Sequence, residues 1–144
     1  MIINVNVNFR NYKSNGQHKE QALAYVLTGE IRKADKVPFY MGSDIPEYEM
    51  SVKSSKFSLM NGNACICQDF NGIVEEFFSR AKSTKFAYVT NDMVAYVMNI
   101  EQFRQFVYLF CGLERESQKN GGRYKVKMRA ESKKTLAWLE KNIK

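Results

Sequence analysis

The sequence predicts a mixed α/β fold in which a central mixed β-sheet is flanked by helices. Three observations carry the prediction. Period-two runs and helical stripes succeed one another in the order β, α, β, β, α, β, β, α, β, α. Two of the β-rich runs are separated only by Asn91-Asp92, which signals a hairpin. The chain is 144 residues long, with 44% hydrophobic and 13% aromatic residues, which suits one packed core and a single domain over 1–144.

Each element has its own signal. In residues 2–10, Ile3, Val5, Val7 and Phe9 share one face and Asn4, Asn6, Asn8 and Arg10 the other, as in a half-buried strand. Residues 17–28 suit a helix with Leu23, Val26 and Leu27 as its apolar stripe and Gly29 as its C-terminal cap. Pro38 and Gly42 break any helix over 30–43. Strands are expected over 47–53 and, briefly, 56–60, ahead of a turn at Asn61-Gly62-Asn63. Residues 70–82 form a helix that turns Ile73, Val74, Phe77, Phe78 and Ala81 inward. Lys85–Thr90 and Met93–Met98 make the hairpin. Asn99 and Gln102 then form a capping box for a helix with the stripe Phe103, Phe106, Val107 and Phe110. Asn120-Gly121-Gly122 is a turn, 123–129 the last strand, and 132–142 a terminal helix carrying Leu136, Trp138 and Leu139.

Several function classes fall away. No window holds eighteen consecutive apolar residues, so no membrane span is expected. The start, MIINVNVNFR, lacks the parts of a signal peptide, which predicts a cytoplasmic protein. Cys65, Cys67 and Cys111 are an odd set and read as free thiols; one intervening residue is too few for a zinc knuckle. His18 is the only histidine, so a zinc His pair is excluded and a Ser/His/Asp set is absent.

Charge points to a partner. Lys and Arg number 22 against 15 acids, giving a formal +7 and a pI near 9.3. Phosphate backbones are the leading match, because cationic side chains release condensed counterions on binding. Arg123, Lys125, Lys127 and Arg129 share one face of the last strand, and the seven cations of 119–134 have only Glu131 among them. Such a row either meets an anion or guards a sheet edge against aggregation. Arg32, Lys33 and Lys36 form a smaller cluster, with Lys56 a further cation near the segment described next.

The most informative segment runs from Gly42 to Lys56. On a strand, Glu49, Ser51 and Lys53 point one way and Tyr48, Met50 and Val52 the other, with Asp44 just upstream. Glu20 stands three residues before Leu23 and seven before Leu27, on the stripe side of its helix. A carboxylate turned toward a core needs a partner or a cation, and Lys53 or a metal shared with Asp44 would serve; at the rim of the stripe Glu20 would instead reach out to water.

Glu20, Asp44 and Ser51-Val52-Lys53 follow the order helix Glu, strand Asp, then acid-x-Lys. In this the chain resembles the PD-(D/E)XK, or restriction-endonuclease-like, nuclease superfamily over residues 17–90. The resemblance implies a restriction-endonuclease-like core with Asp44, Ser51, Lys53 and Glu20 as catalytic residues and a Mg²⁺ or Mn²⁺ cofactor. It also implies a DNA substrate and, for cutting both strands, a homodimer. Two departures stand out. Ser51 occupies the place of the second acid, which leaves Glu49, Glu20 or, least suitably, Glu75 and Glu76 to supply the missing carboxylate. Asp44 precedes Ser51 by only seven residues, which calls for a tight hairpin; Asp35 is the alternative. Metal ligation is accordingly expected at Asp44, Glu20 and Glu49. Because Ser51 is a weaker ligand, a non-catalytic module of the same fold is the other expectation. It would bind nucleic acid or regulate a protein partner, as small phage or mobile-element proteins do.

Overall fold

A computed structural model describes residues 1–7, 15–30, 43–59 and 69–144. The Asn91-Asp92 hairpin forms its centre. Strands β3 (Lys85–Val89) and β4 (Val94–Asn99) pair antiparallel, and Met93 takes a left-handed φ of 63° in the turn. β1 (Ile2–Asn4) adds antiparallel to β4, and β2 (Met50–Ser54) adds parallel to β3, giving the order β1-β4-β3-β2. Parallel neighbours need a crossover connection, and α2 (Phe70–Arg80) lies in it. The mixed sheet and its helices are the architecture that the sequence predicts.

Alternation along β3 and β4 gives the sheet two chemically different faces. Phe86, Tyr88, Tyr96 and Met98 point to one side, where α2, α3 (Ile100–Phe110) and α4 (Lys133–Asn142) cover them with Val74, Phe77, Phe103, Phe106, Val107 and Leu139. This side is aromatic: the Phe86 and Phe103 rings stack at 4.3 Å, and Tyr88 sits 5.1 Å from Phe106. Ala87, Val89, Ala95 and Val97 point the other way, against α1 (Asn15–Thr28), through Ala22, Leu23 and Ala24. Val5 completes this second core, so the alternation read from the N-terminus holds at Ile3, Val5 and Val7; Phe9 and Arg10 lie outside the described residues.

Caps end the helices where the sequence places them. Asn99 and Gln102 form a reciprocal capping box on α3, Ser132 and Thr135 form another on α4, and Gly29 closes α1 at φ 77°. The stripe of α1 differs from expectation. Val26 is 40% exposed, whereas Ala22 and Ala24 are buried, so the inward face is rotated toward the alanines that apolar-stripe counting underweights.

A second, two-stranded sheet pairs β5 (Cys111–Arg115) antiparallel with β6 (Tyr124–Met128). Residues 57–59 flank the other edge of β6 through the Ser58–Lys127 bridge. The short strand expected at 56–60 is thus, among the described residues, a single bridge to the second sheet. Lys56, at φ 64°, turns the chain away from β2.

Candidate functional site

Asp44, Lys53 and Glu20 lie near enough for their charges to act on one another, at the edge of β2 that faces away from β3. The expected tight hairpin exists in abbreviated form. Ile45 and Met50 pair antiparallel through both backbone hydrogen bonds, and a 3₁₀ turn over Pro46–Tyr48 joins them. Pro46 suits the first position of that turn, where no N–H is needed. Met50 therefore presents its N–H and C=O away from β3, and so does Val52. The Val52 N–H, with no strand beyond it among the described residues, donates to Asp44 Oδ2 at 2.7 Å. This bond holds the carboxylate beside the strand that carries Lys53.

Lys53 shares the face of Ser51 and is flanked by aromatic rings, its Nζ 5.8 Å from the Phe77 centroid and 6.0 Å from that of Phe57. Burial lowers its pKa, and the charges of Asp44 and Glu20 oppose that shift. Burial likewise raises the Asp44 pKa, against the Val52 hydrogen bond and Lys53. The Glu20 carboxyl is pushed up to about 7, chiefly by burial and then by Asp44, with Lys53 pulling the other way. Two carboxylates and one ammonium from three separate segments thus act on each other in a partly dry setting.

Ser51 is buried and engaged elsewhere. Its Oγ lies 2.7 Å from Ser83 Oγ, which lies 2.7 Å from Ser43 Oγ. Glu49 departs from the expected strand face. At φ 50° it ends the 3₁₀ turn before β2 begins, it is exposed, and its Oε2 accepts from Thr84 Oγ1 at 3.4 Å. Its charge is not among those acting on Glu20, Asp44 or Lys53. The left-handed residue breaks the alternation that put it with Ser51. Glu75 is exposed and bound by Arg104 and Tyr108, away from the cluster, consistent with its outward place on α2. Arg32, Lys33, Asp35 and Lys36 lie outside the described residues, as do Cys65 and Cys67. Cys111 is a buried free thiol.

The donor set bears on which metal it suits. Among the described residues, no group of three or more His, Cys, Asp or Glu gathers into a protein-only cage. Glu20 and Asp44 are two hard oxygen donors; burial first and then the Asp44 charge make ionised Glu20 costly, and a cation held by both relieves that cost. Mg²⁺ commonly takes one or two carboxylates and completes its shell with water and substrate phosphate. The residues present fit that pattern.

Beside this cluster lies a polar network that periodicity gives no sign of. Lys19, only 7% exposed, donates to Asn91 Oδ1 at 3.2 Å. Glu131 accepts from the buried Tyr88 hydroxyl at 2.8 Å and from the Asn91 N–H at 3.2 Å. It clamps the hairpin turn to the chain entering α4.

The basic strand keeps its expected alternation: Val126 and Met128 are buried, while Arg123 and Arg129 are exposed and Lys125 and Lys127 half-buried. The acids near it are rearranged. Glu131 turns to Tyr88 and Asn91, whereas Glu114 on β5 stands directly across from Lys125. Lys127 has Gly112 and Ser58 as cross-strand neighbours. A Cβ on Gly112 would sit 3.6 Å from an Arg129 guanidinium nitrogen, so Arg129 lies across the open place that this glycine leaves.

Compared with family models, with characterised proteins and with solved structures, the chain matches none. No helix among the described residues is long and apolar enough to cross a membrane.

Proposed function

We propose that this protein is a Mg²⁺-dependent nuclease acting on DNA phosphodiester bonds. The carrying observation is that Glu20 on a helix, Asp44 in the bend before the Ile45–Met50 bridge and Lys53 on a strand have their charges coupled, with the Asp44 carboxylate held by the Val52 N–H of that same strand. Ionisable groups perturbed by burial together with a specific charge partner are the arrangement by which active sites tune their acids and bases. Glu20 and Asp44 would hold the metal, which supplies Lewis acidity and a more acidic bound water. The Asp44 carboxylate is oriented by the Val52 N–H. Lys53 places positive charge where the phosphorane gains negative charge, and its half-dry surroundings strengthen that effect. Arg123, Lys125, Lys127 and Arg129, with Arg32, Lys33 and Lys56, are proposed to contact the nucleic-acid backbone. Cutting both strands calls for two such sites, so a homodimer on duplex DNA belongs to the same proposal.

The test is incubation of plasmid and linear DNA with the protein in Mg²⁺ or Mn²⁺, beside Lys53→Ala. Cleavage by the wild type, reduced at least a hundredfold in the variant, is expected for loss of a charge aimed at the transition state. No cleavage by the wild type in either metal sinks the enzymatic reading.

One observation favours a second reading, a non-catalytic module that binds nucleic acid or regulates a nucleic-acid enzyme. The Ser51 hydroxyl faces Ser83 and adds no charge to the cluster. DNA shifted in a gel but never cut supports this reading.

A further inference from the structure

Three buried serines join the segments that carry Asp44 and Lys53. Ser43 directly precedes Asp44, Ser51 lies two residues before Lys53 on the same face of β2, and Ser83 sits in the connection from α2 to β3. Their relative exposures are 8%, 8% and 2%, and Ser83 Oγ stands 2.7 Å from each of the other two hydroxyls. The connection that holds Ser83 is itself tied to the start of β2, since the N–H groups of Thr84 and Lys85 both donate to the Glu49 carbonyl, at 2.9 and 3.2 Å. Ser83 is therefore fixed with respect to the strand, and through Ser43 it fixes the chain entering Asp44.

We infer that Ser83 is a positioning residue for this site: the chain Ser43–Ser83–Ser51 sets where the Asp44 carboxylate stands relative to Lys53. The inference rests on the nuclease reading only for its catalytic consequence. A hydroxyl both donates and accepts, so one side chain at Ser83 can serve two others in a buried place where unpaired hydroxyls are costly. A carboxylate at position 51 would add charge to the cluster. The serine instead commits its polar atom to alignment, which gives the residue at the second-acid position a role other than ligation. Asp44 needs such alignment because it lies at a sheet edge, where, among the described residues, the Ile45–Met50 pair is the sole backbone bridge on that side of β2.

The Val52 amide senses the arrangement directly, since it donates to Asp44 Oδ2. Its ¹H–¹⁵N resonance is to be recorded in wild type, Ser83→Ala and Asp44→Ala, the last defining the position without the bond. Cleavage and DNA affinity are to be measured on the same samples. The expected result is a Ser83→Ala resonance displaced toward that of Asp44→Ala. Cleavage falls about ten- to a hundredfold, the scale of a small misplacement of a catalytic group, while DNA affinity holds. A Val52 resonance at its wild-type position in Ser83→Ala overturns the inference, even if the melting temperature has dropped. Should Ser83→Ala fail to fold, Ser43→Ala must displace the Val52 resonance toward that of Asp44→Ala, and an unmoved resonance there is equally decisive. If the wild type cuts no DNA, the nuclease reading fails, and the resonance alone still decides the role of Ser83.

Discussion

Removing the charge of Glu20 should stabilise the metal-free protein above neutral pH, and by an amount the structure sets. The carboxyl rises from its ordinary 4.5 to about 7, mainly through burial and then through Asp44. At about 1.4 kcal/mol for each tenfold, ionising Glu20 in the folded chain costs on the order of 3 kcal/mol more than in the unfolded chain. The sign follows from proton counting. Between pH 4.5 and about 7 the folded state holds a proton that the unfolded state has released, so stability falls as pH rises through that window and then levels off. Glu20→Gln removes this dependence and keeps the shape. Urea unfolding of both proteins with a chelator present, at pH 4.5 and pH 8, gives the difference free of the other titrating groups. The variant should gain on the order of 3 kcal/mol over wild type between the two pH values. Adding Mg²⁺ at pH 8 should recover part of the gap for wild type alone. A difference between the proteins that stays constant with pH refutes the burial argument.

Other outcomes follow from features equally specific. Phe103→Ala removes a ring stacked 4.3 Å from Phe86 in the aromatic core and should cost about 3–5 kcal/mol in chemical denaturation. Asn99→Ala breaks the α3 capping box and should cost about 1 kcal/mol, with little effect on DNA binding. Glu131→Ala strips partners from the Tyr88 hydroxyl and the Asn91 N–H and should cost about 1–3 kcal/mol, seen also as faster hydrogen exchange at the Asn91 amide. Reversing charge at Lys125 and Lys127 should weaken DNA binding and lower the salt slope by about one for each phosphate that is no longer neutralised; unchanged binding removes β6 as the DNA-facing surface.

Much of this is legible in the sequence because the signals are local. The hairpin needs only Asn91-Asp92 between two β-rich runs, and the cap of α3 needs only Asn99 and Gln102. Glu20, Asp44 and Lys53 stand out by their order along the chain. The strand β5 is not legible: Cys111 follows the helix without a break, and no element is expected between Phe110 and the Asn120 turn. Its conformation comes from pairing with β6, a contact between segments that no short window contains. Glu49 misleads for the opposite reason. Strict alternation assigns it to the face of Ser51, and one left-handed residue undoes the assignment. Ser83 carries no pattern at all, since a serine in a connection acquires meaning only from what the fold brings to it.

The thin side of the sheet has a consequence for the site. Helix α1 rests on the sheet through Ala22 and Ala24 beside Leu23, facing Ala87 and Ala95. Short side chains on both surfaces act as shims, and they set how near the helix, and Glu20 with it, can stand to β2. A methyl or two added at Ala22 or Ala24 would lift the helix and part the Glu20 carboxylate from Asp44 and Lys53, although both alanines belong to the apolar cluster. The pH dependence of stability that belongs to Glu20 should then shrink in step with the added volume. The electrostatics of the cluster are in this sense tuned by carpentry several residues away.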